Sequence, residues 1–331
     1  MRLIQLIDSD GERCVCLVED NRLRRIGQHA SVYALANAAL DDGSSLSETV
    51  NRHLTSEELD YDKIYRGRST WRILPPIDHP DEPARCIVSG TGLTHKGSAA
   101  NRQAMHAADA VLTDSMRMFQ WGLEGGRPSP GQVGVSPEWF YKGPGTILRA
   151  HGEPLEVPAY AEDGGEEGEL AGIYLIDSSG APRRLGMTAG NEFSDHRVEK
   201  KNYLYLATSK LRTCAIGPEI VIDPDYSSVP GEVTIERDGT PMWSKEILTG
   251  DAAMSHSLEN MEHHHFKHDV HRRPGDIHIH FFGAAVLSFG EGIELNDGDV
   301  MQVRFTGFGR PLRNPVRVVQ DEETLVSVTP L

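Results

Sequence analysis

Two glutamates, Glu167 and Glu169, stand two positions apart at the start of an apolar segment, residues 170–176. Side chains alternate between the two faces of a β-strand, so both carboxylates are expected to point the same way. Two buried like charges repel each other and lose their hydration, and a bound divalent cation relieves both penalties. The other interpretation is that both glutamates belong to the acidic, glycine-rich loop of residues 162–166 and are solvated.

A hard-cation site needs a third acidic ligand, and the best source of one is the polar segment of residues 190–197. Adding Glu192 gives three carboxylates and leaves further coordination positions for water or substrate. Oxygen-only ligation of this kind favours Mg²⁺, with Mn²⁺ or Ca²⁺ as further candidates. Asp195 competes with Glu192 for this role, and the segment can also be an ordinary polar loop.

Lys210 precedes a second apolar segment that ends in a Gly-Pro pair, Gly217-Pro218. A lysine that is desolvated beside a metal and an anionic ligand can orient a carboxylate or exchange protons. The alternative is an ordinary surface lysine, which is the default for any single lysine.

The first 80 residues, which precede these groups, predict a small α+β unit. Turn residues separate three short strands, two helices follow, and a proline-rich linker ends the unit. Ser31 and Ser45 are the expected N-caps of the two helices. The predicted elements are Arg2–Ile7, Cys14–Val18, Leu23–Ile26, Ser31–Leu40 and Leu46–Leu54.

Beyond residue 150 the apolar segments are short and strand-like, which favours an all-β core with insertions. Residues 112–135 predict an irregular excursion. The predicted later strands are Leu170–Ile176, Thr213–Ile222, Glu232–Glu236, Ile277–Phe282 and Val300–Thr306.

Composition excludes several classes of partner. The chain has 331 residues and a formal net charge of −16, which argues against binding to nucleic acid or to an anionic membrane surface. No apolar segment approaches the ~18–20 residues of a membrane span. The first eight residues predict a strand and not a signal peptide, and the four cysteines are expected to be reduced and mostly buried, so the expected location is cytoplasmic.

From Cys86 to about Pro315 the chain resembles the fumarylacetoacetate hydrolase superfamily. Its metal strand E-x-E-L-A matches residues 167–171, and further motifs of the superfamily match other segments in the same order. These segments are Phe140-Tyr141-Lys142-Gly143-Pro144, Gly190-Asn191-Glu192-Phe193-Ser194, residues 210–218, Pro274-Gly275-Asp276 and Asn296-Asp297-Gly298-Asp299-Val300.

The resemblance implies an α+β fold with a mixed β-roll core, divided into a small N-terminal domain, residues 1–80, and a catalytic domain, residues 85–331. It implies a homodimer that binds Mg²⁺ through Glu167, Glu169 and Glu192. Lys210 is then expected to contact a bound 2-oxo acid, which the metal holds through carboxylate and keto oxygens. The metal stabilises the enolate that forms at the neighbouring carbon.

Departures from the superfamily pattern bear on the reaction. Hydrolytic members use a histidine and a glutamate three residues later to activate water, but here His95 is followed by Ser98. A serine does not replace a carboxylate as a base. Residues 277–283 replace a Thr-Gly-Thr motif, so His280 or Gly283 is expected to meet the substrate. These differences resemble a sugar-acid branch that dehydrates 2-keto-3-deoxy aldonic acids.

The sequence therefore predicts a lyase of carbohydrate catabolism that dehydrates a 2-keto-3-deoxy sugar acid, with a pentonate giving 2-oxoglutarate semialdehyde. Lys210 or a metal-linked water removes a C3 proton, and His95 protonates the departing C4 hydroxyl. Ser98 is grouped with these catalytic residues, whereas Arg102, Lys142, His280 and Gly283 are assigned to substrate binding. The alternatives are a C–C hydrolase or decarboxylase of acylpyruvate-like compounds and an idle binding protein.

A histidine-rich segment, residues 263–268, suggests a zinc site because His264 and His268 are spaced i, i+4. The HExxH motif is absent, and the segment is interpreted as an exposed or interface helix.

Overall fold

The computed structural model describes residues 1–97, 99 and 113–331. Its strands are β1 (Arg2–Ile7), β2 (Arg13–Glu19), β3 (Arg22–Ile26), β4 (Leu54–Asp60), β5 (Arg72–Ile73), β6 (Cys86–Gly92), β7 (Glu138–Pro144), β8 (Leu148–Arg149), β9 (Leu155–Val157), β10 (Gly168–Ile176), β11 (Pro182–Asn191), β12 (Cys214–Ile216), β13 (Ile220–Val221), β14 (Val229–Arg237), β15 (Thr240–Thr249), β16 (Ile277–Phe281), β17 (Val300–Phe305) and β18 (Leu312–Val318). Its helices are α1 (Val32–Asp41), α2 (Leu46–His53), α3 (Tyr61–Tyr65), α4 (Asp114–Gly125), α5 (His196–Lys201), α6 (Leu206–Ser209) and α7 (Leu258–Phe266).

Most strands join one large mixed sheet in the order β4-β3-β2-β1-β13-β11-β10-β16-β6-β7. Strand β12 pairs with β11 and β8, and β5 pairs with β1. The β16–β6 and β12–β8 pairings are parallel, whereas β10 pairs antiparallel with both β11 and β16. The predicted α+β class with a mixed sheet core is therefore confirmed.

A second sheet, in the order β15-β14-β17-β18-β9, packs against the first. Apolar side chains from both sheets form a shared core, which includes Leu170 and Met187 of the large sheet and Val233 and Val303 of the small one. Gly168 at the start of β10 allows this approach, since a Cβ there would collide with Val233. The close contact fixes the start of β10 between the two sheets.

The elements predicted for the N-terminal unit are present, and β4, α3 and β5 are additions that the sequence pattern did not predict. Strands β1 to β3 and helices α1 and α2 are all present, and the hydroxyls of Ser31 and Ser45 accept hydrogen bonds from Ala34 N and Glu48 N at the two helix starts. This unit is continuous with the large sheet, because Leu3 of β1 pairs with Ile220 of β13.

Two other predictions about local structure have opposite outcomes. The interpretation of residues 112–135 as irregular was wrong, because α4 spans residues 114–125 and buries Phe119, with Thr113 as its N-cap. The expectation for the cysteines is confirmed, since all four are free and buried. None of the helices among the described residues is long and apolar enough to span a lipid bilayer.

A buried carboxylate holds the N-terminal unit to the rest of the molecule. Glu219 is fully buried, and its oxygens accept hydrogen bonds from Arg2 Nη1 at 3.0 Å, Tyr61 OH at 2.7 Å and Arg310 N at 3.1 Å. A buried charge is tolerated when it is paired and hydrogen-bonded in this way. The network therefore contributes to holding residues near both ends of the chain together.

Replacing Tyr61 with phenylalanine tests this network. Tyr61→Phe removes one donor from a buried carboxylate, and we expect the free energy of unfolding to fall by about 1–3 kcal/mol. Urea denaturation should show a lower midpoint with an unchanged slope. Tyr160→Phe is the matched control, because Tyr160 is exposed. A midpoint equal to that of the control would show that the Tyr61 hydroxyl does not support Glu219.

Candidate active site

The structure brings Glu167, Glu169 and Glu192 together. Each offers one carboxylate oxygen, and these oxygens all lie within 4.8 Å of one another. Glu167 and Glu169 belong to the start of β10, and Glu192 follows β11, its antiparallel neighbour. The pairing of Gly168 with Asn191 places the two ends side by side. All three side chains are buried, so the solvated-loop interpretation of Glu167 and Glu169 is wrong.

Backbone geometry fixes the direction of Glu192. Its N–H donates to the Glu167 carbonyl at 2.9 Å, and Glu167 N donates to Asn191 Oδ1 at 3.1 Å. The next residue, Phe193, has a φ of +39°, an uncommon conformation for a bulky side chain. Its ring is fully buried, and that packing holds the turn in place.

Lys210 bridges two of the three carboxylates. Its ammonium donates to Glu167 Oε1, to Glu192 Oε2 at 2.6 Å and to Ser194 Oγ at 3.0 Å. It also lies 4.8 Å from the centre of the Phe140 ring, a cation–π distance. The surface-lysine interpretation is therefore wrong, and Lys210 reaches the carboxylate cluster as the sequence predicts.

Lys142 lies behind Glu192 and is fully buried. Its ammonium contacts Glu192 Oε1 at 2.5 Å, and it donates to the carbonyls of Phe193 at 2.8 Å and Lys210 at 3.0 Å. An ammonium has three donors, so these acceptors use all of them. We therefore propose that Lys142 positions Glu192 and the Lys210 backbone, in place of the substrate contact predicted from the sequence.

The charges of the cluster are strongly coupled. Burial acts to raise the pKa of Glu167, but Lys210 and His196 outweigh it and hold that pKa well below its ordinary value. Burial and the charges of Glu192 and Glu167 raise the pKa of Glu169 well above its ordinary value. Burial acts to lower the pKa of Lys210, but the two carboxylates it bridges raise it, so Lys210 is a cation here.

This donor set fits a hard divalent cation. Oxygen ligands of one Mg²⁺ at ~2.1 Å lie up to ~4.2 Å apart, so a small closure of the three side chains brings them into range. Burial, followed by the charges of Glu192 and Glu167, raises the pKa of Glu169, and a bound cation would offset both effects. Within the described residues, the three glutamates are the group of acidic, histidine or cysteine side chains that can hold a metal.

Asp195, the competing ligand candidate, points elsewhere. Its carboxylate accepts from Val198 N at 2.9 Å as the N-cap of α5, and from Arg212 Nη2 at 3.1 Å and Glu162 N at 2.9 Å. It does not belong to the cluster of three carboxylates. The choice of Glu192 over Asp195 therefore agrees with the geometry.

Gly283 supports Glu169 through its backbone. Its N–H donates to Glu169 Oε2 at 2.7 Å, and its φ of +98° favours glycine. A Cβ at this position would collide with the hydroxyl of Thr94. The predicted involvement of Gly283 thus takes the form of a hydrogen bond to a carboxylate of the cluster, and a substrate contact by Gly283 stays a prediction.

His95 is buried beside this segment, and its ring nitrogens lie 2.9 Å from Thr94 Oγ1 and 3.0 Å from Thr249 Oγ1. Burial lowers the pKa of His95 to about 4, so the ring is neutral at pH 7. The other two residues predicted on the same segment, Ser98 and Arg102, lie outside the described residues.

The structure does not bring His280 to the carboxylates. Glu169 and Ala171 share one face of β10, and Phe281 pairs with Ala171, so His280 lies on the opposite face. Its nitrogens lie 2.9 Å from Ser89 Oγ and 2.7 Å from Thr91 Oγ1, and burial lowers its pKa to about 3. We propose a structural role for His280 instead of the predicted substrate contact.

Helix α7 covers this opposite face. In the segment predicted as an exposed or interface helix, His263 and His268 are exposed, whereas His264 and His265 are buried. His265 Nε2 lies 2.9 Å from His278 Nδ1, and its Nδ1 accepts from the indole N–H of Trp139 at 3.1 Å. Within the described residues these histidines form no metal-binding group.

Sequence reasoning missed two side chains that support the carboxylates. His196 Nε2 lies 3.2 Å from Glu167 Oε1, and Glu166 accepts hydrogen bonds from the backbone and hydroxyl of Ser288, at 2.7 and 2.6 Å. Glu166 belongs to the acidic loop of residues 162–166 and His196 to the polar segment of residues 190–197, and their closeness to the motifs is a signal of involvement. Their partners are remote in sequence and give no spacing from which the contacts could be predicted.

Comparisons with known proteins bear on the fold. No family model matches the chain. A probable 2-keto-3-deoxyxylonate dehydratase of Haloferax volcanii is 29% identical over 192 residues, which cover 55% of this chain and 61% of that relative. The match thus spans less than two thirds of the relative.

Solved structures match almost the whole chain. A 2-keto-3-deoxy-D-arabinonate dehydratase in its apo form has a TM-score of 0.71 at 21% identity, over 97% of this chain and 100% of that one. A 5-carboxymethyl-2-hydroxymuconate delta-isomerase from Mycobacterium smegmatis has a TM-score of 0.59 at 18% identity, over 96% and 100%. The chain has the fold of the fumarylacetoacetate hydrolase superfamily. The resemblance of its motifs to that superfamily is thereby confirmed at the level of the fold.

Replacing Lys142 separates support of Glu192 from contact with a substrate. Lys142→Met leaves a buried carboxylate and two carbonyls short of a donor, and we expect the free energy of unfolding to fall by about 3–5 kcal/mol. Lys200→Met, at an exposed lysine, is the control. Unchanged stability in urea together with a raised KM would contradict the positioning role.

Proposed function

We propose that this protein is a Mg²⁺-dependent hydro-lyase that dehydrates a 2-keto-3-deoxy sugar acid, with a pentonate as the favoured substrate and 2-oxoglutarate semialdehyde as the product. The observation that carries the proposal is the cluster of three buried carboxylates, Glu167, Glu169 and Glu192, held between two buried lysines. Mn²⁺ and Ca²⁺ are the other cations that this donor set suits.

The charges of the cluster favour an acidic substrate. Three carboxylates carry one negative charge more than Lys142 and Lys210 balance. A divalent cation held by these carboxylates leaves one positive charge, which complements the single carboxylate of a 2-oxo acid. When bound, the cation supplies Lewis-acid polarisation of the substrate's carboxylate and keto oxygens.

The side chains around the cluster have distinct tasks. Glu167, Glu169 and Glu192 would hold the cation, and Lys142 and Ser194 keep Glu192 in place. Lys210 orients Glu167 and Glu192 and supplies positive charge next to the bound acid. His95, a neutral base in a buried position, exchanges protons with the substrate.

Two known proteins support the choice of reaction. The relative in Haloferax volcanii is described as a probable 2-keto-3-deoxyxylonate dehydratase. A solved 2-keto-3-deoxy-D-arabinonate dehydratase with the same fold, again at TM-score 0.71 and 21% identity, was crystallised with magnesium and 2,5-dioxopentanoate. Serine at position 98, where hydrolytic members carry glutamate, also favours loss of water over C–C hydrolysis.

Incubation with a panel of 2-keto-3-deoxy pentonates, hexonates and acylpyruvates tests the proposal. We expect a pentonate to lose one water in the presence of Mg²⁺, followed by mass, and activity to vanish with a chelator. Glu169→Gln should keep the fold and lose most of the turnover, because it removes a carboxylate from the cluster. Glu259→Gln, at a surface glutamate on α7, is the control. Cleavage of an acylpyruvate with no dehydration would replace the proposal by the hydrolase alternative.

We further propose that the protein is a homodimer. Trp139 and Tyr141 support this, because they expose apolar side chains on one face of β7, a strand at the edge of the large sheet. Light scattering at micromolar concentration should give twice the mass of one chain, and Tyr141→Glu should reduce it toward the monomer. Thr240→Glu, which adds the same charge at the exposed start of β15 in the small sheet, is the control. A monomeric wild-type protein would contradict the proposal.

A further inference from the structure

The hydroxyls around His95 define where its proton sits. Thr94 Oγ1 lies 2.7 Å from the Phe282 carbonyl, which can only accept, so Thr94 gives its one proton to that oxygen. Toward His95 Nδ1, 2.9 Å away, Thr94 can then act only as an acceptor. The Nδ1 atom must therefore carry a proton.

The other ring nitrogen faces Thr249. His95 Nε2 lies 3.0 Å from Thr249 Oγ1, and this hydroxyl comes from the last residue of β15, remote in sequence from His95. In a neutral ring with its proton on Nδ1, Nε2 is the lone-pair atom and accepts from Thr249. Thr94 therefore accepts a hydrogen bond from Nδ1, and Thr249 donates a hydrogen bond to Nε2.

We propose that Thr249 is a positioning residue of the reaction, which together with Thr94 holds His95 as a neutral imidazole with its proton on Nδ1 and its lone pair on Nε2. His95 therefore enters the reaction as a proton acceptor. The Thr249 hydroxyl donates a hydrogen bond to Nε2 until Nε2 takes up a proton from the substrate. The sequence assigned His95 as the acid, and this role becomes available only after the ring has taken up a proton.

The surroundings of His95 agree with a neutral ring. His95 is 3% exposed, and burial lowers its pKa to about 4. Among the described residues, the titratable Tyr226 hydrogen-bonds to Thr249, and its hydroxyl lies 2.9 Å from Met254 Sδ. Thr249 donates its one hydroxyl proton to the lone pair of Nε2, so Thr249 accepts from Tyr226. Burial, followed by the charges of Asp251 and Glu169, raises the pKa of Tyr226 well above its ordinary value, so Tyr226 is neutral too.

Backbone contacts tie this ring to the carboxylate cluster. The Thr94 hydroxyl bonds the Phe282 carbonyl, and the next residue, Gly283, donates its N–H to Glu169 Oε2 at 2.7 Å. The Thr94–His95 pair and Glu169 are thus fixed to consecutive residues of one segment. Residues 282 and 283 therefore connect the segment that carries His95 to the carboxylate cluster.

The consequence for the chemistry rests on the proposed function. His95 Nε2 takes the proton from C3, the electron pair of that C–H bond forms the C3–C4 double bond, and the C4–O bond breaks. The proton on Nε2 passes to the departing C4 oxygen, which leaves as water. The C3–C4 alkene then tautomerises, with no change in atoms, to 2-oxoglutarate semialdehyde. His95 returns to its starting tautomer, so one side chain serves in turn as base and acid and no further reactant is needed.

Nitrogen NMR of the histidine rings tests the tautomer without any turnover. In protein labelled with ¹⁵N-histidine at pH 7, the signals that disappear in His95→Gln belong to His95. We expect one protonated nitrogen at Nδ1 and an unprotonated Nε2, with the ring charging only near pH 4. A ring protonated on Nε2, or charged at pH 7, would overturn the inference. Because this measurement needs no substrate, it stands even if the proposed dehydratase activity fails.

Variants of Thr249 test its effect on catalysis. Thr249→Val keeps the shape and removes the hydroxyl, and we expect kcat to fall about 10–100-fold with little change in KM, a part of the ~10²–10⁴-fold that acid–base help supplies. Thr249→Ser restores the hydroxyl and should recover kcat to within about threefold. Thr240→Val, at the exposed start of the same strand, is the control for folding.

The pH dependence of kcat/KM distinguishes a positioning role of Thr249 from a structural one, because a structural role would leave the pKa of His95 unchanged. A donor to Nε2 favours the neutral ring, so its loss raises the pKa of His95. The acidic limb of kcat/KM should therefore move to higher pH in Thr249→Val and stay in place in Thr249→Ser. A Thr249→Val enzyme with wild-type kcat and an unshifted limb would contradict the assignment.

Discussion

Three buried carboxylates that lie within 4.8 Å of one another repel strongly, and the centre of this molecule is arranged around that repulsion. Lys210 and Lys142 bring two positive charges from separate parts of the chain, and both are buried as deeply as the acids they face. Removing one member of such a group leaves its partners uncompensated in a medium that solvates charge poorly. The same residual negative charge that strains the cluster is what would draw in a divalent cation.

The two faces of the large sheet carry different groups of polar side chains. One face of β10 and its neighbours carries Glu169, Phe281 and the supports of the carboxylate cluster, whereas the other carries His278 and His280 under helix α7. The histidines on the second face are neutral because burial lowers their pKa values. The hydroxyls of Ser89 and Thr91 satisfy His280, whereas His278 contacts His265 through Nδ1 and its Nε2 has no hydrogen-bond partner among the described residues. The histidine-rich segment thus packs against the face of the large sheet under α7. His95 lies beyond the end of β6 and is linked to Glu169 through the Phe282–Gly283 backbone.

Much of the site was predictable because its residues are close in sequence or match short motifs. Glu167 and Glu169 follow from the two-residue period of a strand, and Glu192 and Lys210 follow from motif order. Contacts with a partner remote in sequence could not be predicted. The three acceptors of Lys142, for example, lie 50 or more positions away on other segments. Helix α4 was missed because its glycines and polar residues weaken the apolar period that marks a helix.

The sequence by itself determined the acidic character, the N-terminal strands and capped helices, and the pairing of Glu167 with Glu169, since each depends on local spacing or composition. Only the tertiary structure decided which face of the sheet each histidine occupies and that the two ring nitrogens of His95 contact the hydroxyls of Thr94 and Thr249. Strand register and sheet packing set these contacts, and both depend on apolar burial summed over the whole chain. A tautomer fixed by two hydroxyls from distant segments has no counterpart in any local pattern of residues.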